Sequence, residues 1–388
     1  MQYSSYERVK RTLEHKESDR IPFDLGGSVL TGMSIHSYNR LRQYLGLPEK
    51  TIDIVDMTQQ LARIDDDIID LLGIDVRCVD PNPSDKSTLI KPVSIDGAYN
   101  RMTDEWGIEW KMPVDGGHYY DMTGQPLAQA DSSAALDAFQ WPDPRDPARF
   151  ETMKQRADQA VFGEKRAYIL GRQYAGILET SLWMNGFEKF YCDMLVEEDY
   201  AHAMMAKITE LKMQYWEKAL ETVGDNVLIV SEADDLASQN SLLISEDLYK
   251  KMVHPYHKQL YDFIKRKAKS KVYIFYHTCG AVKPLIPYLI EEGVDILNPV
   301  QVSATGMDTK ILKKEFGKDI TFWGGGVDTQ HILPYGTVQQ VREEVKRRIE
   351  DLAPNGGFVF SAVHNIQSDV TPENFMAMWQ ALQDFGKY

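Results

Sequence analysis

Hydrophobic residues along this chain gather in short continuous runs more often than in strict alternation. Eight runs stand out: "RIPFDLGG" (20–27), "GIDVRCVD" (73–80), "AYILGRQY" (167–174), "NVLIVSEADD" (226–235), "KVYIFYHTCG" (271–280), "DILNPVQ" (295–301), "ITFWGGGVD" (320–328) and "GGFVFSAVHN" (356–365). Unbroken apolar runs rich in β-branched and aromatic residues are what parallel strands covered on both faces require. Between them the period becomes helical, as in "SEDLYKKMVHPYHKQLYDFIKRKAKS" (245–270), "GTVQQVREEVKRRIEDLA" (336–353) and "TPENFMAMWQALQDF" (371–385). Ser245 with Asp247, and Thr371 with Glu373, read as helix N-terminal signals. The opening "MQYSSYERVKRTLEHKESDR" reads as an amphipathic helix.

Strand followed by helix, repeated towards eight, predicts an α/β fold of the (β/α)8 type, a TIM barrel. The first half is less regular. Residues 82–165 carry Pro, Gly and Asp punctuation and two alternating segments, "TLIKPVSI" and "EWGIEWKM", separated by "DGAYNRMTD". That pattern predicts an antiparallel excursion inserted into one barrel domain spanning 1–388. A doubly wound sheet is the competing architecture, and no GxGxxG turn follows the first strand to support it.

Charge and composition narrow the partners. With 43% hydrophobic and 26% charged residues the chain has the composition of a soluble globular protein. A net charge of −15 argues against nucleic acid, whose phosphates demand a basic face, but leaves room for a local basic pocket. Cys78, Cys192 and Cys279 are too few and too scattered for a disulfide framework, so a reducing cytoplasm is expected. No stretch approaches the ~20 apolar residues of a membrane span, and no membrane partner is expected.

In a (β/α)8 barrel the site lies at the C-terminal ends of the strands. Several runs finish in polar residues there: Glu232, Asp234 and Asp235; His277 and Cys279; Asn298 and Gln301; Gly324 to Asp328; His364 and Asn365. His277 and Cys279 stand two apart after a strand, so alternation turns both to one side. A neutral imidazole and a thiolate are zinc ligands, and sulfur disfavours magnesium. The structural alternative is a buried cysteine beside a hydrogen-bonded histidine. Glu232 and His364 are the further candidate ligands. Asp234 and Asp235 are candidates for orienting a ligand or moving a proton, with helix capping as the alternative. Tyr120, Tyr174 and Trp183 could line a pocket with Asn298, Gln301 and Asn365, or could simply be core.

The segments "ERVKRTLEHKESDRIPFDLG", "DDLASQNSLLISEDLYKKMVHPYHKQLYDFIK", "YHTCGAVKPLIPYLIEEGVDILNPVQVSATGMD", "FWGGGVDTQHILPYGT" and "GGFVFSAVHNIQSDVTPEN" resemble the uroporphyrinogen decarboxylase superfamily. More narrowly they resemble its zinc- and corrinoid-dependent methyltransferase branch, which includes the vanillate/veratrol-type O-demethylase methyltransferases. The resemblance implies a barrel with zinc held by His277 and Cys279, and a corrinoid carried by a partner protein. His364 stands where some relatives have a later cysteine, and Val327 where many have another, which leaves the third and fourth ligands open among Glu232, His364 and the two aspartates. The stretch "RIPFDLGGSVLTGMSIHSYNRL" has no arginine between Arg20 and Arg40. That absence disfavours a polycarboxylated tetrapyrrole substrate, whose charges need a cationic clamp.

The expected activity is therefore transfer of a methyl group from a small donor, an aryl methyl ether, to the cobalt of a corrinoid protein, with Zn2+ as Lewis acid. The alternatives are a metal-free decarboxylase acting on a smaller acid and a non-catalytic module that binds corrinoid proteins. Exposed aromatics in the 82–165 excursion could serve a homodimer.

Overall fold

The computed structural model describes residues 2–84 and 86–388. Seven parallel strands run in sequence order around a curled sheet: Val76–Val79, Ala167–Leu170, Ile229–Ala233, Tyr273–His277, Ile296–Asn298, Thr321–Trp323 and Phe358–Val359. The eighth position belongs to residues 22–24, which form only a bridge with Phe360. The backbone closes the ring there all the same. The N–H of Asp24 donates to the Phe360 carbonyl at 2.9 Å, that of Phe360 to Pro22 at 2.9 Å, and that of Asp75 to Phe23 at 2.8 Å. The expected barrel is thus present, its first strand shortened by the proline, which lacks an N–H.

Side-chain alternation divides the strands into an inner and an outer layer. Val76, Ile169, Ile229, Phe275, Ile296 and Trp323 pack together inside the barrel. Val9 and Leu13, from helix Ser5–Leu13, join that cluster and close the end where the strands begin. The Gly357 N–H donates to the Thr12 carbonyl at 3.1 Å, and that of Tyr6 to Lys165 at 2.8 Å, which anchors the helix at strand starts. With one end plugged, the opposite end is the mouth.

The excursion is a four-stranded antiparallel sheet, Lys91–Asp96, Tyr99–Thr103, Glu109–Pro113 and Asp121–Gly124, placed between the first two strands of the parallel set. Outer helices follow the expected pattern. Ser245 and Thr371 cap helices through their side chains, accepting from the N–H groups of Leu248 and Asn374. The region 245–270 is helical with a wider turn at Tyr249–Val253 before helix His254–Lys267. Among the described residues no helix is long and apolar enough to cross a membrane.

Candidate metal centre

Tyr273, Phe275 and His277 point inward from strand Tyr273–His277, so the histidine is the last of three inner rungs. Past the strand the chain is held by its neighbours, one amide at a time. The Thr278 N–H donates to the Asn298 carbonyl at 2.8 Å. The Cys279 N–H donates to Asp235 Oδ1 at 2.8 Å, and the Gly280 N–H to Gln301 Oε1 at 2.7 Å. This fixes the cysteine beside the histidine, with Cys279 Sγ 3.5 Å from His277 Nε2. His364, from the loop after the last strand, completes a group whose donor atoms all lie within 4.8 Å of one another.

The protonation states suit a cation. His277 Nδ1 donates to Asn298 Oδ1 at 2.6 Å, and Asn298 Nδ2 donates to the Trp323 carbonyl at 2.9 Å. The second bond orients the amide, so Oδ1 is an acceptor and Nε2 keeps its lone pair. Burial pushes His277 down to about 4, and the nearby His364 acts in the same direction. Burial also lowers His364, against the charge of Asp235. The Cys279 thiol is raised by burial and by the charges of Asp235 and Glu179. Two neutral imidazoles and a thiol that ionises only when a cation compensates it make a donor set, two nitrogens and a sulfur, suited to Zn2+. A tetrahedral ion at usual bond lengths would separate its ligand atoms by ~3.5 Å, which the Cys279–His277 pair matches.

Several of the expected site residues are engaged by other partners. Glu232 neighbours Tyr276 in register and lies on the outer face of its strand. Its oxygens accept from Lys212 Nζ at 2.7 Å and Trp216 Nε1 at 2.6 Å, both on helix Glu198–Val223. Alternation separates it from His277, Cys279 and His364. Asn298 supports His277, and Gln301 bridges Gly280 and Gln239. Asn365 takes the Gly32 N–H at 2.6 Å and donates to the Val29 carbonyl and to Gln59, both at 2.9 Å. These amides hold loops in place.

Asp234 is a helix cap, the alternative its position in sequence left open. It accepts from the N–H groups of Ile177 (2.8 Å), Leu178 (3.0 Å) and Glu179 (2.6 Å), at the start of helix Ile177–Asn185. Gly176 makes that approach feasible, since a Cβ there would lie 1.7 Å from the Ala233 carbonyl oxygen and 2.1 Å from Asp234 Oδ1. Asp234 also meets His257 Nε2 at 2.7 Å, and the other side of that ring faces Glu292 at 3.5 Å. All three are buried. Asp235, by contrast, faces the cluster.

Sequence reasoning missed Glu179, Arg172 and Gln173. Glu179 lies in the first turn of the helix that Asp234 caps. Burial and the charges of Asp235 and Asp234 raise its carboxyl to about 8, opposed by Arg172. Arg172 Nε, Gln173 Nε2 and the Tyr191 hydroxyl are buried atoms with no partner among the described residues, and the Arg172 charge acts on Asp80, Glu179 and His277. The signal was available: "GRQY" ends its run in polar residues just as the later strands do. Trp183 is one helical turn beyond Glu179 and so shares its face. Tyr174 meets Trp183 edge to face at 5.7 Å, stacks on Trp106 at 4.8 Å and gives its hydroxyl to Asp104 at 2.5 Å. Tyr120 is packed in the core where its N–H ties the excursion to Thr58 at 2.9 Å.

The methyltransferase from Methanosarcina mazei superposes with a TM-score of 0.67 at 17% identity, over 99% of each chain. A β-glycosidase from Thermosphaera aggregans gives 0.43 at 11% identity, over 96% of this chain and 97% of that one. A β-glucosidase from Pyrococcus furiosus gives 0.42 at 11%, over 94% and 95%. No curated protein matches the sequence. The model of the uroporphyrinogen decarboxylase (URO-D) family matches residues 141–385, which run from the excursion through every later strand of the barrel to the last helix. With the closed barrel and more than half of the chain matched, this protein belongs to the uroporphyrinogen decarboxylase family.

Proposed function

We propose that the protein is a zinc-dependent methyltransferase that passes a methyl group from a small methylated donor to the cobalt of a corrinoid carried by a partner protein. The observation that carries this reading is the cluster of His277, Cys279 and His364, with the His277 proton held on Nδ1 by Asn298. The methyltransferase among the fold's relatives supports the reaction class. His277, Cys279 and His364 would hold Zn2+, which when bound acts as a Lewis acid at the oxygen that the methyl group leaves.

The chain's own residues do the rest. Asn298 orients the His277 ring, and Asp235 orients the Cys279 loop through its amide. Glu179 retains a proton at neutral pH and can deliver it to the departing alkoxide or phenoxide. Asp234 is occupied by the amides it caps, which favours Glu179 for the proton-donor role. Trp183, on the Glu179 face of its helix, offers a flat apolar surface to an aromatic ring, which favours an aryl methyl ether as the donor. The corrinoid partner would dock at the mouth transiently, since it must leave to deliver its methyl group, and such contacts bury less area than permanent ones.

The test is a donor screen with a reduced corrinoid protein, following conversion of cob(I)alamin to methylcobalamin by absorbance. Methoxylated aromatics are expected to react. Reaction of aliphatic donors alone would remove the aryl ether from the proposal. Release of CO2 from an aromatic acid or porphyrinogen, with no methylation from any donor, would overturn it in favour of a decarboxylase.

A further inference from the structure

A cavity of about 560 Å3 lies between strand Val76–Val79 and the loop that follows residues 22–24. Val29, Leu61, Ile64, Ile69 and Val76 give it an apolar wall. Its three carboxylates are already matched by cations. Asp66 and Glu164 pair with Arg77 at 2.7 and 2.6 Å, and Glu164 also with Arg166 at 3.0 Å. Asp65 pairs with Arg42 at 3.0 Å and Lys50 at 2.6 Å.

Two arginines of the cavity are not matched in this way. Among the described residues Arg63 has one acidic neighbour, Asp53, at 3.9 Å and largely in solvent. The Arg156 side chain makes a single hydrogen bond among them, from Nη2 to the Asp80 carbonyl at 2.7 Å, while its Nε is buried without a partner. The Asp80 carboxylate accepts from Cys78 Sγ at 2.9 Å and is not within ion-pair distance of Arg156. Burial lowers the Arg156 pKa and the Arg63 charge adds to that, against the opposing charge of Asp80. Two like charges facing one partly enclosed space repel each other unless an anion lies between them.

We propose that this cavity binds a small organic carboxylate, its anionic end between Arg63 and Arg156 and its hydrocarbon body on the apolar wall. Two planar guanidinium groups suit a carboxylate. A phosphate would call on backbone amides as well, and five of those in the adjoining loop are occupied. The Gly26 N–H bonds to Thr31, Gly27 to Asp24, Leu30 and Thr31 to Ser28, and Gly32 to Asn365. The carboxylate is either the acid end of the methyl donor, which rests on the function proposed above, or a separate acid with its own site.

Benzoate is the probe, since it has no methyl group to transfer, and its binding to the full zinc-loaded chain is read by calorimetry. The expectation is that benzoate binds about tenfold or more tightly than benzyl alcohol, and that Arg156→Gln and Arg63→Gln each erode this preference. Arg63 is exposed, so its variant keeps the test open if Arg156→Gln does not fold. Equal binding of the acid and the alcohol, a preference that survives both substitutions, or tighter binding of inorganic phosphate than of benzoate would overturn the proposal. Benzoate that raises the KM for a methoxylated donor at unchanged kcat identifies the acid end of the donor. Benzoate that binds without altering that KM identifies a separate site. Because binding is read without turnover, failure of the methyl-transfer reading and failure of this one are separable.

Discussion

His277 and Asn298 form a pair in which the amide decides which ring nitrogen is free. Nδ1 is engaged at 2.6 Å, and the amide cannot turn because its own nitrogen is tied to the Trp323 carbonyl at 2.9 Å. Partners of this kind typically change metal affinity by ~10–100-fold. Asn298→Ala is expected to weaken Zn2+ binding by that order, measured by competition with a chromophoric chelator. His277→Ala and Cys279→Ala are expected to abolish stoichiometric zinc. Undiminished zinc in either of the latter variants would remove the pair from the metal centre.

Glu179 is expected to act as an acid. Its proton is held at neutral pH by burial and by the charges of Asp235 and Asp234, so activity should decline as pH rises through about 8. Glu179→Gln keeps the shape and loses the proton. Its kcat should fall by ~100-fold or more, with zinc content unchanged and the alkaline limb gone. A wild-type rate in this variant would exclude the role.

The buried Asp234–His257–Glu292 group makes stability depend on pH. Burial alone would lower the His257 pKa, but the Glu292 charge and the Asp234 hydrogen bond outweigh it and raise it to about 9. A histidine with a folded pKa above its unfolded value of ~6.5 stabilises most below that value, and its contribution fades as pH rises through about 9. Melting temperatures of the native protein should therefore drop between pH 7 and 9.5. His257→Gln should melt lower at pH 7 and show a smaller drop. Parallel curves for the two proteins would count against the assignment.

Glu232 is expected to matter for stability and not for metal. Glu232→Leu strands Lys212 in the layer between barrel and helix, and breaking a buried pair costs ~3–5 kcal/mol. Urea denaturation should register that loss, while zinc content stays at the wild-type level. Zinc loss without destabilisation would return Glu232 to the ligand set.

The barrel was legible because its information is local. A strand covered on both faces must be apolar throughout, so the seven parallel strands fall inside the runs that the pattern marks, and Ser245 and Thr371 announce their helices through capping that spans three residues. The pair His277 and Cys279 was legible for the same reason, since alternation alone puts two residues at i and i+2 on one face. Alternation should also have excluded Glu232, had the inner parity of its strand been known. That parity depends on which face meets the helices, and only the packed layers decide it.

Roles at the mouth were beyond the sequence, because each is set by a partner far along the chain. Asp234 looks like a reactive acid until Ile177 to Glu179 arrive from 55 or more residues earlier and occupy its oxygens. Asn365 looks like a substrate ligand until Gly32 takes its carbonyl oxygen from 333 residues away. Glu179 looks like an ordinary helix-start residue until burial beside Asp235 holds its proton. Residue type and spacing determine which elements form and which way a side chain points along them. Whether a carboxylate caps, pairs or reacts depends on what tertiary packing brings to within about 3 Å, where hydrogen bonds and desolvation act.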